Sequence, residues 1–267
     1  DAQESRGLGD VYKRQVKPGT STAWLTQRMV QDVVNAGVLP AGALSIIAGS
    51  SAGLMDALQP FDVVSFTGSA ETAGVVRAHP AVAQRSVRAN IEADSLNAAL
   101  LMPDAAPGSS AFDLLVREVV REMTVKSGQK CTAIRRILVP AALYAAVAEA
   151  VSAQLASVVV GNPRNPEVRM GSLVSRAQFD GVQAGIAALA AHTDVLHDGR
   201  TRPLVDADPA VAACVGPVLL GARDADRASI VHDVEVFGPV ATLLPYNDLP
   251  HALAVARRGQ GSLVTSL

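Results

Sequence analysis

The sequence is poor in the residues that build disulfide frameworks, metal centres and stacked aromatic surfaces. Aromatic residues make up 3% of the 267 residues, and there are only two cysteines, Cys131 and Cys214. Two cysteines far apart in the chain exclude a disulfide-rich scaffold and a cysteine-based metal cluster, so no metal site is expected. Such sparing use of cysteine fits a reducing compartment, and we expect a cytoplasmic protein.

The sequence also has no large excess of positive or negative charge and no long apolar run. The 23 Lys and Arg residues oppose 25 Asp and Glu residues, which gives a formal net charge of −2. No basic cluster stands out, so no nucleic-acid partner is expected. No apolar run is long enough to cross a bilayer, and no membrane association is expected. The 49% of residues that are hydrophobic are enough for a sizeable core in one or two domains.

The two ends of the chain do not share the patterning of the middle. Residues 1–15 are polar, without periodicity and without the apolar segment of a signal peptide, so we expect a non-native or disordered tail there. Residues 261–267 stop within an apolar, strand-like run. We therefore expect a piece of a longer protein that is truncated at both ends.

Between the ends, helix-like and strand-like segments alternate, which is typical of an α/β fold with a largely parallel sheet. The first predicted helix, 21–36, has Thr20 or Ser21 as a possible N-cap. Another predicted helix covers 110–126. Apolar residues recur at helical spacing in both, at Trp24, Leu25, Met29 and Val33 and at Phe112, Leu115, Val119 and Met123. The rhythm changes near residues 86–102, which suggests a domain boundary.

Cys131 is a candidate nucleophile. It lies in the loop 127–132, between a predicted long helix and a predicted strand, and anchored loops are common places for reactive groups. Only the thiolate form of a cysteine attacks, and nearby cations favour that form. The stretch 126–136 is the most basic of the chain. The residues alone are equally compatible with Cys131 as a buried structural cysteine. For Cys214, which has apolar neighbours, we expect a buried structural cysteine.

Four other segments could carry chemistry but are ambiguous in isolation. Glu92 ends a predicted strand beside small or apolar residues, where burial would suit it to general-base work, although a solvated acid fits as well. Phe66-Thr67-Gly68-Ser69 is a strand-to-helix turn whose backbone N–H groups could receive a phosphate, but such turns are common. Lys17-Pro18 and the turn Glu235-Val236-Phe237-Gly238-Pro239-Val240 are weaker signals still.

Taken in chain order, five of these segments closely resemble the aldehyde dehydrogenase superfamily over residues 16–267. They are Lys17-Pro18, Phe66-Thr67-Gly68-Ser69, Glu92, Gly128-Gln129-Lys130-Cys131 and Glu235-Val236-Phe237-Gly238-Pro239-Val240. The resemblance implies a Rossmann-type cofactor domain, partial here over 16–92, and an α/β catalytic domain over 93–267 that is incomplete at its C-terminus. Residues 91–97 replace the usual motif around the glutamate, and the interval of 39 residues between Glu92 and Cys131 is longer than is common. Residues 121–124 and 133–136 also look like one branch of the superfamily. These features are similar to the branch that handles ring-cleaved aromatic acyl-CoA semialdehydes, so the expected substrate is a small aldehyde linked to CoA.

The resemblance also implies the catalytic roles. Cys131 would add to the aldehyde to give a thiohemiacetal, with its own backbone N–H as one donor to the oxyanion. After hydride transfer, Glu92 would activate the water that hydrolyses the resulting thioester. The superfamily's oxyanion-hole asparagine lies upstream of Lys17, and Asn35 and Asn90 are in the wrong places to replace it. We therefore expect the parent to be an active homo-oligomeric enzyme and this polypeptide to be inactive alone.

For the cofactor, the resemblance places Lys17 at the adenosine ribose and Gly68 and Ser69 at the pyrophosphate. It places Glu235 and Phe237 at the nicotinamide ribose and ring. Members selective for NAD commonly carry a glutamate where this chain has Thr20, and that charge would repel a 2′-phosphate. We therefore expect NADP to be preferred, with NAD possible, although Thr20 could also merely cap the following helix.

Two enzymatic alternatives stay open. A CoA-acylating aldehyde dehydrogenase would resolve the thioester with the CoA thiol, but such branches typically lack the glutamate that Glu92 provides. A cysteine hydrolase or acyltransferase would need a histidine paired with Cys131, and the five histidines form no recognisable motif. A cofactor-binding assay separates these classes.

Overall fold

The computed structural model describes residues 13–260 and 262–267. These divide into two compact units, unit 1 up to Ala93 and unit 2 from Asp94 onward. The division falls at Ala93, next to the boundary expected at residue 92. Among the described residues, no helix is long and apolar enough to cross a membrane.

Unit 1 is built from two parallel strand pairs, each connected through helical segments. Its elements are β1 (Arg14–Val16), α1 (Ala23–Asn35), β2 (Leu44–Ile46), β3 (Val63–Gly68), α2 (Ala70–Ala78), α3 (Pro80–Ala83) and β4 (Arg88–Ala93). β1 pairs with β2, and β3 pairs with β4. Parallel strands need such crossover connections because a tight hairpin can join only antiparallel neighbours.

The start of unit 1 differs from the sequence expectation in two respects. Arg14 and Gln15 belong to β1, where Arg14 pairs with Leu44, so the expected tail does not extend over these two residues. Residues 1–12 of that tail lie outside the described residues. A 3₁₀ turn over Thr20–Thr22 precedes α1, and Thr22, rather than Thr20 or Ser21, is its N-cap, without a side-chain capping bond.

Unit 2 contains a six-stranded sheet with helices on both faces. Its strands are β5 (Ala98–Leu100), β6 (Arg136–Pro140), β7 (Asp194–Asp198), β8 (Val218–Gly221), β9 (Val240–Tyr246) and β10 (Thr265–Ser266). Its helices are α4 (Ser110–Thr124), α5 (Tyr144–Leu155), α6 (Arg176–Ala190) and α7 (Leu249–Arg257). The strand order is β10-β5-β6-β9-β8-β7, and all neighbours are parallel except β7 and β8.

The core of unit 2 lies on both sides of this sheet. Alternate side chains of one strand point to opposite faces, so Ile137 packs in a cluster with α4 and α5, and Leu138 packs in a cluster with α6 and α7. Strands covered on both faces are mostly apolar rather than alternating, as in β6 and β9, where Arg136 and Thr242 are the exceptions. This doubly covered sheet is the frame from which the loops carrying Cys131 and Glu235 project.

Candidate active site

The loop that carries Cys131 begins with a sharp change of backbone direction after α4. Lys126, Ser127 and Gly128 have φ values of 53°, 54° and 70°, so the helix predicted to reach residue 126 ends at Thr124. The buried Ser127 hydroxyl donates to the Gly171 carbonyl at 2.9 Å, which anchors the turn. The Cys131 residue itself is exposed. A rigid turn thus presents a free thiol at the surface of unit 2.

Gly128 is required by close packing as well as by its backbone angles. A Cβ atom at this position would lie 2.2 Å from the Gly238 carbonyl oxygen. Its φ of 70° is also a conformation that residues with side chains rarely adopt. The backbone before Cys131 is therefore in direct contact with the turn that contains Glu235 and Phe237.

Asn97 holds the backbone on both sides of the exposed thiol. Its amide nitrogen donates to the carbonyls of Cys131 and Ala133, each at 2.9 Å. Its amide oxygen accepts from the backbone N–H groups of Leu263 and Val264 at 3.0 and 2.9 Å. A buried amide with its donors and acceptor all used is a rigid connection, because breaking any one bond leaves a polar group unsatisfied.

Glu235 is held by two partners inside unit 2. The Arg135 guanidinium donates to one carboxylate oxygen at 3.2 Å, and the Ser95 backbone N–H donates to the other at 2.7 Å. Burial raises the pKa of Glu235 above its ordinary value, and the Arg135 charge and the Ser95 bond oppose that rise. Burial also lowers the pKa of Arg135, against the effect of Glu235. Each partner therefore opposes the effect that burial has on the pKa of the other.

The ring of Phe237 is 38% exposed, in contrast to the carboxylate two residues earlier. The Arg135 guanidinium carbon lies 5.4 Å from the centre of this ring, within the range of a cation–π contact. One arginine therefore touches both residues of this turn that the sequence assigns to cofactor binding.

Three of the basic residues near Cys131 have partners of their own. Lys130 is paired with Glu122 at 2.6 Å. Arg136 is 1% exposed and donates to backbone carbonyls, among them Leu96 at 2.9 Å. The donors of Lys130, Arg135 and Arg136 are therefore used in bonds to groups other than the Cys131 thiol.

A cavity of about 550 Å³ adjoins this loop within unit 2. Apolar side chains of β5, the loop after it, α4 and the C-terminal residues form most of its wall. Lys130 and Thr132 contribute to it, whereas Cys131 does not line it. Its ionisable lining residues are Asp104, Glu118, Glu122 and Lys130. Because acids outnumber bases here, the cavity is unsuited to an anionic group such as a phosphate.

Cys214 differs from Cys131 in its surroundings. It is half-buried, with its sulfur 4.0 Å from the Gly161 carbonyl, and burial raises the pKa of its thiol. A thiol in such an environment stays protonated and inert at neutral pH.

In unit 1, the predicted cofactor residues lie at the ends of parallel strands. Lys17 directly follows β1 and is exposed, as is Thr20 in the turn before α1. Gly68 ends β3, and Ser69 is the N-cap of α2, with its hydroxyl accepting from the Thr72 N–H at 3.3 Å. The first N–H groups of a helix form an electropositive end that suits an anionic ligand.

Glu92 lies in β4 beside this turn. In the parallel register Thr67 is opposite Glu92 and Gly68 is opposite Ala93, so the half-buried acid neighbours the strand end that leads into α2. The structure thus places Glu92, Gly68 and Ser69 together in unit 1, and Cys131, Glu235 and Phe237 together in unit 2.

Two of the histidines have partners other than Cys131. His232 is bonded to Arg136 and to the Ala225 carbonyl, and His79 accepts from the Ala81 N–H. Within the described residues, no three His, Cys, Asp or Glu side chains come together as a metal-binding group.

The sequence alone gave Arg135 only a place in a basic stretch and gave Asn97 no individual role. Two adjacent arginines at the start of an apolar strand, and one amide in the apolar run 96–101, were the available signals. Both roles depend on segments that are far apart in sequence, so only the fold shows them.

Comparison with known proteins defines the class. The chain matches the model of the aldehyde dehydrogenase family over residues 15–266, and it belongs to that family. It is 58% identical over 253 residues to the 3,4-dehydroadipyl-CoA semialdehyde dehydrogenase of Aromatoleum evansii. The matched region covers 94% of this chain and 49% of that protein. The chain spans about half the length of the curated relatives it matches.

Solved structures agree with this assignment. An aldehyde dehydrogenase C mutant from Pseudomonas syringae, in complex with NAD⁺ and octanal, has a TM-score of 0.79 at 26% identity and covers 92% of this chain and 49% of its own. Betaine aldehyde dehydrogenase from Staphylococcus aureus, in complex with NAD⁺, has a TM-score of 0.78 at 24% identity and covers 92% of this chain and 47% of its own. The predicted family and the predicted aldehyde dehydrogenase-like α/β fold are therefore confirmed.

Proposed function

We propose that this chain forms part of an NAD(P)-dependent aldehyde dehydrogenase of its relatives' length, which oxidises a CoA-linked semialdehyde to the carboxylic acid. The observation that carries the proposal is the exposed Cys131 thiol on a loop braced by Asn97 and packed against the turn of Glu235 and Phe237. The 58% identity to an enzyme named for a CoA semialdehyde supports the substrate class. The active form is the protein of full family length, and this chain alone is inactive.

The residues present fit a nicotinamide cofactor by the chemistry of their donors and acceptors. Lys17 offers a cation and Thr20 a hydroxyl, and Gly68 and Ser69 lead into a helix N-terminus that suits a pyrophosphate. The Glu235 carboxylate has lone pairs beyond those used by Arg135 and Ser95, which suit ribose hydroxyls. When bound, the cofactor supplies a hydride acceptor.

The chain's own groups perform the covalent chemistry. The Cys131 thiolate forms a C–S bond to the aldehyde carbon, and the backbone N–H of Cys131 donates to the oxyanion of the thiohemiacetal. Loss of hydride from that carbon leaves a thioester. Glu92 then takes a proton from a water molecule whose oxygen attacks the thioester carbon. The C–S bond breaks, which releases the carboxylic acid and regenerates the Cys131 thiol.

Hydrolysis of the thioester is favoured over transfer to CoA because the chain carries Glu92 in the position of the general base. A cysteine hydrolase is disfavoured because His79 and His232 have partners other than Cys131. The preference for NADP over NAD is part of the proposal and depends on the neutral Thr20 beside Lys17.

The proposal is tested with Cys131→Ala and Glu92→Gln in a protein of the relatives' full length. Cys131→Ala should abolish turnover because no covalent intermediate can form. Glu92→Gln should leave the first hydride transfer intact and stall hydrolysis, so that rapid mixing shows at most one equivalent of reduced cofactor.

Cys214→Ala is the matched control, because this half-buried thiol has no proposed role and its loss should leave turnover near the native rate. Steady turnover by Cys131→Ala would exclude the nucleophile assignment. Steady turnover by Glu92→Gln at the native rate would exclude the base assignment while leaving the nucleophile in place.

A further inference from the structure

We propose that Arg135 is a positioning residue that fixes the Glu235 carboxylate and the backbone before Cys131 relative to each other. This inference rests on the proposed function, because it concerns the predicted nucleophile loop and the predicted nicotinamide contacts. Arg135 is 4% exposed, so its guanidinium is surrounded by protein groups rather than by solvent. Arg135 immediately precedes β6, a strand of the unit 2 sheet that is covered on both faces.

Three hydrogen bonds from the Arg135 guanidinium connect two segments, the backbone before Cys131 and the turn from Glu235 to Gly238. Nη2 donates to the Gly128 carbonyl at 2.9 Å, three residues before Cys131. Nη1 donates to the Gly238 carbonyl at 2.8 Å, and Nε donates to Glu235 Oε1 at 3.2 Å. The three donors used here belong to three different nitrogens of a rigid plane, whereas all the donors of an ammonium share one nitrogen.

The two segments are already in van der Waals contact, so the fork locks an interface that has little freedom. Gly128 leaves no room for a Cβ against the Gly238 carbonyl, and both of these carbonyls accept from Arg135. The backbone of Arg135 is itself fixed, because its N–H donates to the Asn97 carbonyl at 3.1 Å. Movement of the guanidinium would therefore be transmitted to both segments.

Glu235 depends on Arg135 for its charge as well as its direction. The carboxylate is 7% exposed, and Arg135 is its ion-pair partner. Its second oxygen is bonded to the Ser95 N–H, so the two bonds define the plane of the carboxylate. Without the guanidinium, an acid in this place would be protonated or would rotate toward solvent, and either change would alter its contact with ribose hydroxyls.

Arg135→Lys separates charge from geometry, and Arg135→Met combined with Glu235→Gln removes the charge of both partners. We expect Arg135→Lys to raise the KM for the cofactor and to lower kcat, with a combined loss in kcat/KM of about 10²-fold, because misplacement by an ångström has that effect on a catalytic site. All values are taken in the protein of full family length and are normalised to the fraction of reactive Cys131.

A double-mutant cycle identifies the route of the effect. If Arg135 acts through Glu235, then Arg135→Met should add much less to the cofactor KM on the Glu235→Gln background than it does on the native background. The cofactor KM of Arg135→Lys should also fall as pH rises through a range where the native KM is flat, because the carboxylate must be deprotonated to bind. A purely structural role would lower the folded yield without producing either signature.

Arg223→Lys is the matched control, because Arg223 pairs with Asp194 on the exposed edge of the sheet and has no link to either segment. A normal cofactor KM in Arg135→Lys, or full additivity in the cycle, would overturn the positioning role while leaving the proposed function intact. Failure of the native protein to bind a nicotinamide cofactor would overturn both.

Discussion

Helices α1 and α4 carry the same kind of apolar spacing in sequence but differ in burial. In α1, Trp24 is 72% exposed and Met29 is 60% exposed. In α4, Phe112 and Met123 are 5% and 0% exposed. Helical spacing therefore predicted both helices, whereas the burial of the apolar face depends on whether a second layer packs against it.

The same difference extends to the units that contain these helices. Among the described residues of unit 1, the buried apolar side chains are four alanines and two valines, and the strands occur as two separate pairs. Unit 2 has a six-stranded sheet with large apolar side chains buried on both faces. Isolated strand pairs are marginally stable, so unit 1 draws little stabilisation from its own core.

The sharpest test of this contrast compares one residue type in the two helices. Met123→Ala should lower the free energy of unfolding by about 2–5 kcal/mol, because it opens a cavity in a closed core. Met29→Ala should change it by no more than about 0.5 kcal/mol, because the side chain is exposed and alanine favours the helix. Urea unfolding monitored by circular dichroism measures both values.

Native-state hydrogen exchange provides the accompanying control. Amides of β6 and β9 should be protected most strongly and those of β1 and β3 least, because local opening follows the density of buried contacts. Equal losses for Met29→Ala and Met123→Ala would contradict the contrast and would show that the apolar face of α1 is covered in solution.

The sequence predicted elements better than it predicted contacts. The turn at Gly68 and Ser69 and the helix that follows were predicted because a strand, a glycine and a capping hydroxyl are local signals. The end of α4 was misplaced because Lys126 and Ser127 adopt positive φ values that no local rule assigns to them. The turn at Gly68 and Ser69 is therefore specified by local residues. The end of α4 is specified by tertiary contacts with Gly171 and Gly238.

For the candidate site, the family resemblance supplied the reactive residues, and the fold supplied what holds them. Cys131 and Glu235 could be named from motifs. The roles of Arg135 and Asn97 could not, because Arg135 meets Gly238 and Asn97 meets Leu263 only after the sheet of unit 2 has formed. Long-range bonds of this kind have no periodic signature in a single sequence.

A second test places a negative charge on the exposed surface of unit 1. The charge should leave the stability of the protein unchanged but should alter its binding of the cofactor. Thr20→Glu should lower kcat/KM for NADP by about tenfold or more relative to NAD, because a carboxylate facing a 2′-phosphate is repulsive. Steady-state kinetics with both cofactors in the protein of full family length measures the ratio.

Ser21→Glu adds the same charge one residue later in the same exposed turn and is the matched control. It should leave the NADP-to-NAD ratio near its native value. Comparable losses for the two cofactors in Thr20→Glu would remove the basis for expecting NADP.

The smallest expected effect concerns a titratable group inside the core of unit 2. Arg136 Nη1 lies 3.1 Å from His232 Nδ1, and His232 Nε2 lies 3.0 Å from the Ala225 carbonyl. Since a guanidinium can only donate, Nδ1 accepts and Nε2 carries the proton, which makes His232 neutral. Burial lowers the pKa of His232, and burial lowers the pKa of Arg136 only to about 10, so the arginine stays charged.

The sign of the pH effect follows from this arrangement. Between the lowered native pKa of His232 and its unfolded value near 6.5, the unfolded chain binds a proton that the native chain does not, so stability should fall as pH drops below about 6.5. The loss should be about 1.4 kcal/mol for each unit by which the native pKa is lowered. His232→Gln, which can still accept from Arg136 and donate to Ala225, should flatten this part of the pH profile of urea unfolding. Exposed His192→Gln should retain the native slope, and parallel profiles for His232→Gln and the native chain would show that the core of unit 2 does not exclude this proton.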